Sequence, residues 1–165
     1  MDQIASAVKI LQAGGLIIFP TETCYGAGVD ATNPQAVNKL LAYKTRREGK
    51  PLSIAVTDKT MASKYVKLNT TAVNLYTKFL PGPLTIVSRA RHRVAPGIES
   101  ETGTLAIRIP DYPLVHKLLK SFGKPITATS ANVSYKPRPY SIPQLLKYTS
   151  KTQQKLIDLI INVGQ

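Results

Sequence analysis

The chain has 165 residues, 43% of them hydrophobic, and a formal net charge of +13 at pH 7. This length suits one domain with a continuous core, and the hydrophobic fraction argues against wholesale disorder. No apolar run approaches the roughly 20 residues of a membrane-spanning helix, and the N-terminus lacks the pattern of a signal peptide. The single cysteine, Cys24, cannot form an internal disulfide, so we expect a cytoplasmic protein with no membrane partner.

Apolar periodicity, helix caps and prolines predict helices and strands that mostly alternate. In chain order, we predict a helix between Asp2 and Gly14, a strand at 16–20, a helix at 34–43, a strand at 51–56, a helix at 70–80, strands at 84–90 and 104–110, a helix at 112–123, a strand at 125–130, a helix at 141–150 and a strand at 155–162. The proline-rich residues 134–143, here called the strap, should be extended, either as a mobile loop or as a segment that lies over a site. This order indicates an α/β (α+β) sheet domain.

The strong positive charge implies polyanionic partners, either nucleic acid or phosphorylated small molecules. The segment YKTRREGKPLS (43–53) concentrates the cations Lys44, Arg46, Arg47 and Lys50 between a helix and a strand. Guanidinium groups grip phosphate or carboxylate in a two-point fork, and converging cations stabilise charge on a phosphoryl group under attack. A solvated basic loop is the alternative interpretation, and charge alone does not separate nucleotide binding from RNA binding.

Polar residues also follow predicted strands, where open α/β sheets bind ligands. The segment PTETCYGAG (20–28) places hydroxyls and a carboxylate there, which suits the ammonium or hydroxyl group of an amino acid, although a well-capped turn explains it equally well. By the period of two, Arg108 faces away from the apolar side of its strand and shares a face with small residues, as an anion clamp requires. In ATSAN, Ser130 and Asn132 can donate to phosphate or ribose oxygens.

Other chemistries have weaker support. Cys24 could be a nucleophile with His92 or His116 as base, but no paired acid is in view for either histidine, and a small packed cysteine is the better interpretation. The spacing of these three residues matches no zinc pattern. The sequence contains neither GxxxxGK[ST] nor GxGxxG, so a P-loop or dinucleotide fold is unsupported.

Five motifs occur together in a familiar order: FPTETCYGAG, the K-x-R of YKTRREGKPL, LPGPLTIV, TLAIRIPDYP and ITATSANVS. In this combination the chain resembles the YrdC-like threonylcarbamoyl-AMP synthases over roughly residues 5–142. The resemblance implies a twisted, mixed and open α/β sheet with flanking helices around a wide basic cavity. It also implies a nucleotidyltransferase that joins L-threonine, bicarbonate and ATP into threonylcarbamoyl-AMP and pyrophosphate. Separate partner proteins would use that product to modify an adenosine of tRNA.

The same resemblance assigns roles to individual residues. Lys44 and Arg46 should hold the nucleotide phosphates and the carbamoyl group, and they are the expected catalytic residues. The expected threonine contacts are Thr23, Arg108, which should clamp the carboxylate, and Ala128. The expected further nucleotide contacts are Lys50, Thr104, Ser130, Asn132 and Arg138. Mg²⁺ should arrive with ATP, and no protein side chain is expected to bind it.

The chain departs from the family pattern at three places. Tyr135 stands where the family usually has glycine, so the strap should take a different path. Ala55 stands where some members place a polar residue near threonine. The family continues with a serine–threonine segment and a later arginine that help close both substrate pockets. We therefore expect residues 1–165 to form a single YrdC-like domain without the family's C-terminal segment.

Two other functions stay open at this point. One is an RNA-binding module of the same fold, since the charge would attract tRNA or other structured RNA. The lack of Trp and the presence of only three Phe residues disfavour recognition of RNA bases by stacking. Eight Tyr residues partly offset this shortage of aromatic rings. The other is a carbamoyl-adenylate-forming domain of a larger maturation enzyme. Such a domain would keep K-x-R and S-x-N without recognising threonine.

Overall fold

The computed structural model describes residues 3–45 and 50–162, and all statements below concern those residues. The helices are α1 (Gln3–Gln12), α2 (Pro34–Lys44), α3 (Lys59–Tyr65), α4 (Thr70–Phe79), α5 (Pro113–Phe122), α6 (Ile142–Lys147) and α7 (Lys151–Gln154). The strands are β1 (Ile17–Phe19), β2 (Gly26–Gly28), β3 (Ser53–Ala55), β4 (Thr85–Arg89), β5 (Thr104–Arg108), β6 (Ile126–Thr127), β7 (Thr129–Ser130) and β8 (Leu159–Ile160). None of these helices combines the length and apolar character that crossing a bilayer requires.

The predicted α/β class is confirmed, and local signals placed most elements correctly. The side chain of Asn33 accepts hydrogen bonds from the backbone of Gln35 and Ala36, and Pro34 occupies the first turn of α2. Gly123 ends α5 in the left-handed conformation, with φ of 76°. Helix α3, which the prediction missed, also has a local signal, because the Asp58 carboxylate accepts from the backbone of Met61.

The predicted strand at 155–162 is largely wrong, because only Leu159–Ile160 is a strand and helix α7 lies just before this segment. Strand β2 was missed because its sequence, Gly-Ala-Gly, has little strand propensity. Its glycines serve close packing instead: a Cβ at Gly26 would lie 2.9 Å from Cζ of Phe19, and a Cβ at Gly28 would lie 2.7 Å from Cε1 of the same ring. The aromatic ring of β1 thus lies directly against the backbone of β2.

The strands form two four-stranded mixed sheets, in the orders β7-β2-β1-β8 and β4-β5-β3-β6. Strands β1 and β8 are parallel, as are β3 and β5, and the remaining neighbours are antiparallel. The predicted strand at 125–130 is divided between both sheets, and Ala128 lies at the crossing. Its N–H donates to the carbonyl of Ser53 at 2.8 Å, and its own carbonyl accepts from the Ser53 hydroxyl at 2.8 Å.

Buried apolar side chains form two clusters, one on each side of the first sheet. The larger cluster includes Tyr43 and Ile107, and the smaller one packs α1 and α5 against β1 through residues such as Leu11 and Phe19. Each fully buried large aliphatic side chain contributes about 1.5–3 kcal/mol relative to an exposed one. These clusters fix the sheets relative to the helices, so that polar residues at the strand ends have defined positions.

Candidate active site

A short turn after β1 presents the first polar group of the site. The Thr21 hydroxyl donates to the carbonyl of Cys24 at 2.7 Å. It also accepts from the backbone N–H groups of Thr23 at 3.2 Å and Cys24 at 3.3 Å. A single side chain therefore closes the turn, as threonine does in many tight turns. Glu22 and Thr23 are carried on this closed turn.

Arg108 lies on strand β5, whose exposure alternates residue by residue as the period of two predicts. Its neighbour Ile107 is fully buried, whereas Arg108 is only partly buried. Across the second sheet, Arg108 is flanked by Ala55 on β3 and Thr85 on β4. These small neighbours leave space beside the guanidinium group, so Ala55, which we noted as a departure from the family pattern, belongs to the surroundings of Arg108.

The guanidinium group of Arg108 joins the turn to the second sheet. Its Nη2 forms an ion pair with Oε1 of Glu22, and its Nη1 donates to the hydroxyl of Thr23 at 3.3 Å. Its Nε is buried and has no hydrogen-bond partner within the described part of the chain. The side chains of Arg108 and Glu22 are 16% and 19% exposed, but Glu22 as a whole residue is exposed, so the pair lies at the edge of the fold rather than in its core.

A small cavity opens between the turn, β5 and the crossing at residue 128. Among the residues that line it are Phe19, Thr21, Thr23, Arg108, Ala128 and Ser130. The cavity thus combines a cation, several hydroxyl groups and an apolar floor. This chemistry suits a small polar ligand with a carboxylate or another anionic group.

Lys44 ends helix α2 beside this cavity, and only 4% of the residue is exposed. Its Nζ donates to the backbone carbonyls of Ser130 at 2.6 Å and Asn132 at 2.9 Å. A buried ammonium group needs such partners, because burying an unpaired charge is costly. The positive charge of Lys44 is therefore fixed behind the segment that carries Ser130 and Asn132.

Tyr43, next to Lys44, holds the same segment from within the core. Its hydroxyl donates to the carbonyl of Ala131 at 2.6 Å. Burial raises the pKa of Tyr43 to about 12, although a hydrogen bond with Thr149 lowers it in part. The backbone of Ser134 also donates to the carbonyl of Lys44 at 3.1 Å. Helix α2 and residues 130–134 consequently form one hydrogen-bonded unit.

Ser130 and Asn132 interact directly with each other. The Ser130 hydroxyl donates to Oδ1 of Asn132 at 2.5 Å, and Nδ2 of Asn132 donates to the carbonyl of Lys136 at 2.5 Å. Ser130 lines the cavity, whereas Asn132 is turned toward the start of the strap. The S-x-N pair therefore links the cavity to the strap.

The strap begins with a turn rather than the extended segment that we predicted, and α6 starts within its last residues. Tyr135 has φ of 68°, in the left-handed region where glycine is favoured. Its ring lies 4.9 Å from Nζ of Lys50, and its hydroxyl lies 3.4 Å from the same atom. Further along, the carbonyl of Pro139 accepts from the backbone of Tyr25 at 3.0 Å, which ties the strap to the first sheet.

The structure thus brings four of the predicted residues, Thr23, Arg108, Ala128 and Ser130, to one cavity. Lys44 contacts its rim through Ser130. Thr104 shares the face of β5 with Arg108, but it lies four residues away, where its hydroxyl shares a hydrogen bond with Ser100 at 2.7 Å. Lys50 contacts Tyr135, and Arg138 is exposed on the strap. Arg46 lies outside the described residues.

The sequence placed Glu22 among the polar residues at the strand end, where a carboxylate suits the ammonium group of an amino acid, but it did not reveal the contact of Glu22 with Arg108. Its contact with Arg108 spans 86 residues of sequence, and only the relative position of the two sheets reveals it. Within residues 3–45 and 50–162, no group of three or more His, Cys, Asp or Glu side chains could hold a metal ion.

The fold and the site together define a mixed α/β domain in which a small cavity, lined by a guanidinium group and several hydroxyl groups, lies between two sheets. A family model described as "Sua5_yciO_yrdC: Telomere recombination" matches residues 9–164, and the chain belongs to this family. The resemblance seen in the sequence is thereby confirmed.

Several members of the family are similar over most of the chain. A threonylcarbamoyl-AMP synthase of Photobacterium profundum is 38% identical over 140 residues, which are 83% of this chain and 76% of that one. The enzyme of the same name from Vibrio parahaemolyticus is 32% identical and is covered to 86%. The crystal structure of P. abyssi Sua5 complexed with L-threonine has 32% identity and a TM-score of 0.90. The present chain spans about half of that protein, namely 47% of it.

Full-length HypF, solved in a phosphate- and nucleotide-bound form, is 23% identical with a TM-score of 0.84. The chain covers 25% of HypF, and this likeness shows a shared fold alone.

Proposed function

We propose that this chain is an L-threonylcarbamoyladenylate synthase, which joins L-threonine, bicarbonate and ATP and releases pyrophosphate. One observation carries the proposal: Thr23, Arg108, Ala128 and Ser130, which are far apart in sequence, line one cavity with Lys44 at its rim. The names of the relatives point to the same reaction.

The cavity is the proposed threonine site. The guanidinium fork of Arg108 suits a carboxylate, and its buried Nε offers a further donor. The Thr23 hydroxyl, which already contacts Arg108, is placed to bind a polar group of the substrate. Ala128 contributes a small apolar wall, against which the methyl group of threonine can pack.

The proposed nucleotide site lies on the Lys44 side of the cavity. In the reaction, the α-amino group of threonine and bicarbonate first form a carbamate with loss of water. A carbamate oxygen then bonds to the α-phosphorus of ATP while the bond from that phosphorus to the bridging oxygen breaks, and pyrophosphate leaves. Fixed cations stabilise the charge that accumulates on the phosphoryl oxygens, and the buried Lys44 is one such cation. We assign the same role to Arg46.

Further contacts to the nucleotide are assigned to residues around Lys44. The ammonium group of Lys44 bonds to the backbone carbonyls of Ser130 and Asn132, and the side chains of these two residues, a hydroxyl and an amide, bond to each other. Lys50 and Arg138 are the cations at and on the strap, and Thr104 provides a hydroxyl on the same strand as Arg108. Mg²⁺ would enter with the triphosphate, whose oxygens would bind it and whose charge it would partly neutralise.

The proposed product is an acyl adenylate, which reacts readily with nucleophiles and must pass to an acceptor. We therefore propose that separate tRNA-modification proteins in the cytoplasm receive it and transfer the threonylcarbamoyl group to tRNA. Direct transfer would require those proteins to approach the cavity from the strap side.

A single assay tests the proposal: pyrophosphate release from ATP with L-threonine and bicarbonate, each omitted in turn. We expect release that depends on all three compounds, together with a threonylcarbamoyl-AMP product identified by mass spectrometry. A further reaction mixture contains ATP and carbamoyl phosphate in place of threonine and bicarbonate. Pyrophosphate release in that mixture alone would instead favour a carbamoyl-adenylate-forming domain. No release under any combination would refute both assignments.

A second candidate function, RNA binding, is favoured by a basic groove away from the cavity. The groove, of about 570 Å³, is lined by one carboxylate, that of Glu101, and by a larger number of cations and an imidazole, namely Lys67, Arg89, Arg91, His92 and Arg93. Nε of Arg91 donates to the carbonyl of Val66 at 3.1 Å, which fixes one guanidinium group at the surface. Such clusters bind phosphate backbones in a salt-dependent manner.

Fluorescence anisotropy with a labelled tRNA transcript tests this candidate. Combined Arg91→Glu and Arg93→Glu substitutions should weaken binding by on the order of tenfold or more and reduce its salt dependence. The matched control replaces Lys117 and Lys120, which are exposed on α5, with glutamate. Equal losses in both variants would mean that binding follows net charge, and this groove would then have no special role.

A further inference from the structure

The carboxylate of Glu22 occupies the guanidinium group that we assign to the substrate carboxylate. Oε1 of Glu22 pairs with Nη2 of Arg108, and both side chains are more than four-fifths buried. Because a guanidinium fork binds a carboxylate best through two parallel hydrogen bonds, Glu22 and an incoming amino acid compete for the same donors. Binding of the substrate therefore requires a change at Glu22.

Arg108 is only partly satisfied by its present partners. Its contact with Thr23 is long, at 3.3 Å, and its Nε is buried without a partner among the described residues. A buried donor without an acceptor is unfavourable, so this side of the guanidinium group is suited to a further acceptor. The ion pair with Glu22 alone does not complete the site.

Glu22 can move without disturbing its surroundings. The turn that carries it is closed by the hydroxyl of Thr21, through contacts to Thr23 and Cys24 that do not involve the Glu22 carboxylate. Rotation about the side-chain bonds of Glu22 is therefore sufficient to release Arg108. The carboxylate would then stay close to Thr21 and Thr23, its neighbours on the turn, which line the cavity.

An α-amino acid carries a carboxylate and an ammonium group on one carbon atom. We propose that Glu22 exchanges Arg108 for the α-ammonium group of the substrate, so that Arg108 and Glu22 bind the two opposite charges of the amino acid. The exchange leaves neither side chain without an opposite charge, because the single Arg108–Glu22 pair is replaced by two pairs with the substrate. It also selects against carboxylic acids that lack an amino group, since these would displace Glu22 from Arg108 without offering it another cation. The inference rests on the proposed function, which supplies the amino-acid substrate.

The experiment compares binding of two ligands by isothermal titration calorimetry: L-threonine and 3-hydroxybutyrate, which is threonine without its α-amino group. The variant is Glu22→Gln, which keeps the shape of the side chain and removes its charge. Glu101→Gln, at an exposed carboxylate outside the cavity, is the matched control. Thermal unfolding of each variant verifies that the fold is intact, and Glu22→Ala serves as the second variant.

We expect Glu22→Gln to weaken threonine binding by about tenfold or more, because a charge-assisted interaction with the ammonium group is lost. Binding of 3-hydroxybutyrate should be unchanged or tighter, because Arg108 no longer has a competing carboxylate. Equal weakening for both ligands would overturn the inference and make Glu22 a residue that merely positions Arg108. Equal tightening would overturn it as well and make Glu22 a simple competitor. If the unaltered protein binds no threonine, the proposed function fails first, and the substrate on which the inference rests is removed.

Discussion

The ammonium nitrogen of Lys44 lies 2.6 Å from the backbone carbonyl oxygen of Ser130, although 86 residues separate them in sequence. A second bond, of 2.9 Å, joins it to the carbonyl of Asn132. Both carbonyls belong to the segment that carries the proposed nucleotide contacts. Lys44 therefore has two effects in one position, since it supplies positive charge and holds this segment beside the cavity.

Replacement of Lys44 with alanine should abolish pyrophosphate release, with a loss of at least about a hundredfold, because a fixed cation beside the phosphoryl group is removed. It should also destabilise the fold by about 1–3 kcal/mol, since backbone carbonyls lose their donor. Both effects are measured on one preparation, by the pyrophosphate assay and by urea unfolding. Arg46→Ala is expected to lose activity as well.

Lys39 provides a matched control for Lys44 on the same helix. Its ammonium group pairs with Asp158, and its side chain is 28% exposed. Such partly exposed pairs contribute roughly 0–1 kcal/mol, so Lys39→Ala should keep its activity and nearly all its stability. Full activity in Lys44→Ala would remove this residue from the proposed catalytic group.

Replacement of Arg108 with lysine should raise the KM for threonine by about tenfold or more and leave the KM for ATP nearly unchanged. The charge is kept, but the planar fork that binds a carboxylate through two bonds is lost. Steady-state kinetics with each substrate varied in turn measure the effect. Arg91→Lys, in the separate basic groove, should change neither constant. A rise in the KM for ATP, with the KM for threonine unchanged, would assign Arg108 to the nucleotide site instead.

Local sequence rules predicted much of the fold and part of the site. The alternation of β5 placed Arg108 on the open face, and the cap at Asn33 with Pro34 marked the start of α2. The division of residues 126–130 between two sheets has no local signal, because it depends on strands that are distant in sequence. The pairing of Glu22 with Arg108 was unpredictable for the same reason.

Tyr135 offers a test of the backbone at the strap. A residue other than glycine at φ of 68° costs roughly 1–2 kcal/mol, and Tyr135→Gly removes that cost. The loss of the contact with Lys50 and the greater freedom of glycine in the unfolded chain offset this gain. Tyr140, also exposed on the strap, does not have a positive φ, so its replacement with glycine brings the greater freedom of glycine in the unfolded chain and no relief of backbone strain.

We expect the free energy of unfolding of the Tyr135→Gly variant to be about 1 kcal/mol higher than that of the Tyr140→Gly variant. Urea unfolding of both variants at the same pH measures this difference. Equal stabilities would show that the left-handed conformation at Tyr135 carries no appreciable cost. Activity is recorded in parallel, because Tyr135 also contacts Lys50, a proposed nucleotide contact.

Tyr43 and Tyr76 are two buried tyrosines that differ in one respect. The Tyr43 hydroxyl donates to the carbonyl of Ala131, whereas the Tyr76 hydroxyl is buried without a partner among the described residues. Tyr43→Phe should therefore destabilise the protein by about 1–2 kcal/mol, and Tyr76→Phe should be neutral or slightly stabilising. Urea unfolding at neutral pH measures both changes, and an equal loss in the two variants would contradict this distinction.

Alkaline pH should act on the same two residues. Burial is the main cause that raises the pKa of each to about 12, above the ordinary value of 10. A group whose pKa is raised by folding stabilises the folded state fully below its unfolded pKa, and this stabilisation is lost as the pH rises toward the folded value. The free energy of unfolding should thus fall between about pH 10 and pH 12. The decline should be shallower when both tyrosines are replaced with phenylalanine, and an unchanged slope in that double variant would exclude them as its cause.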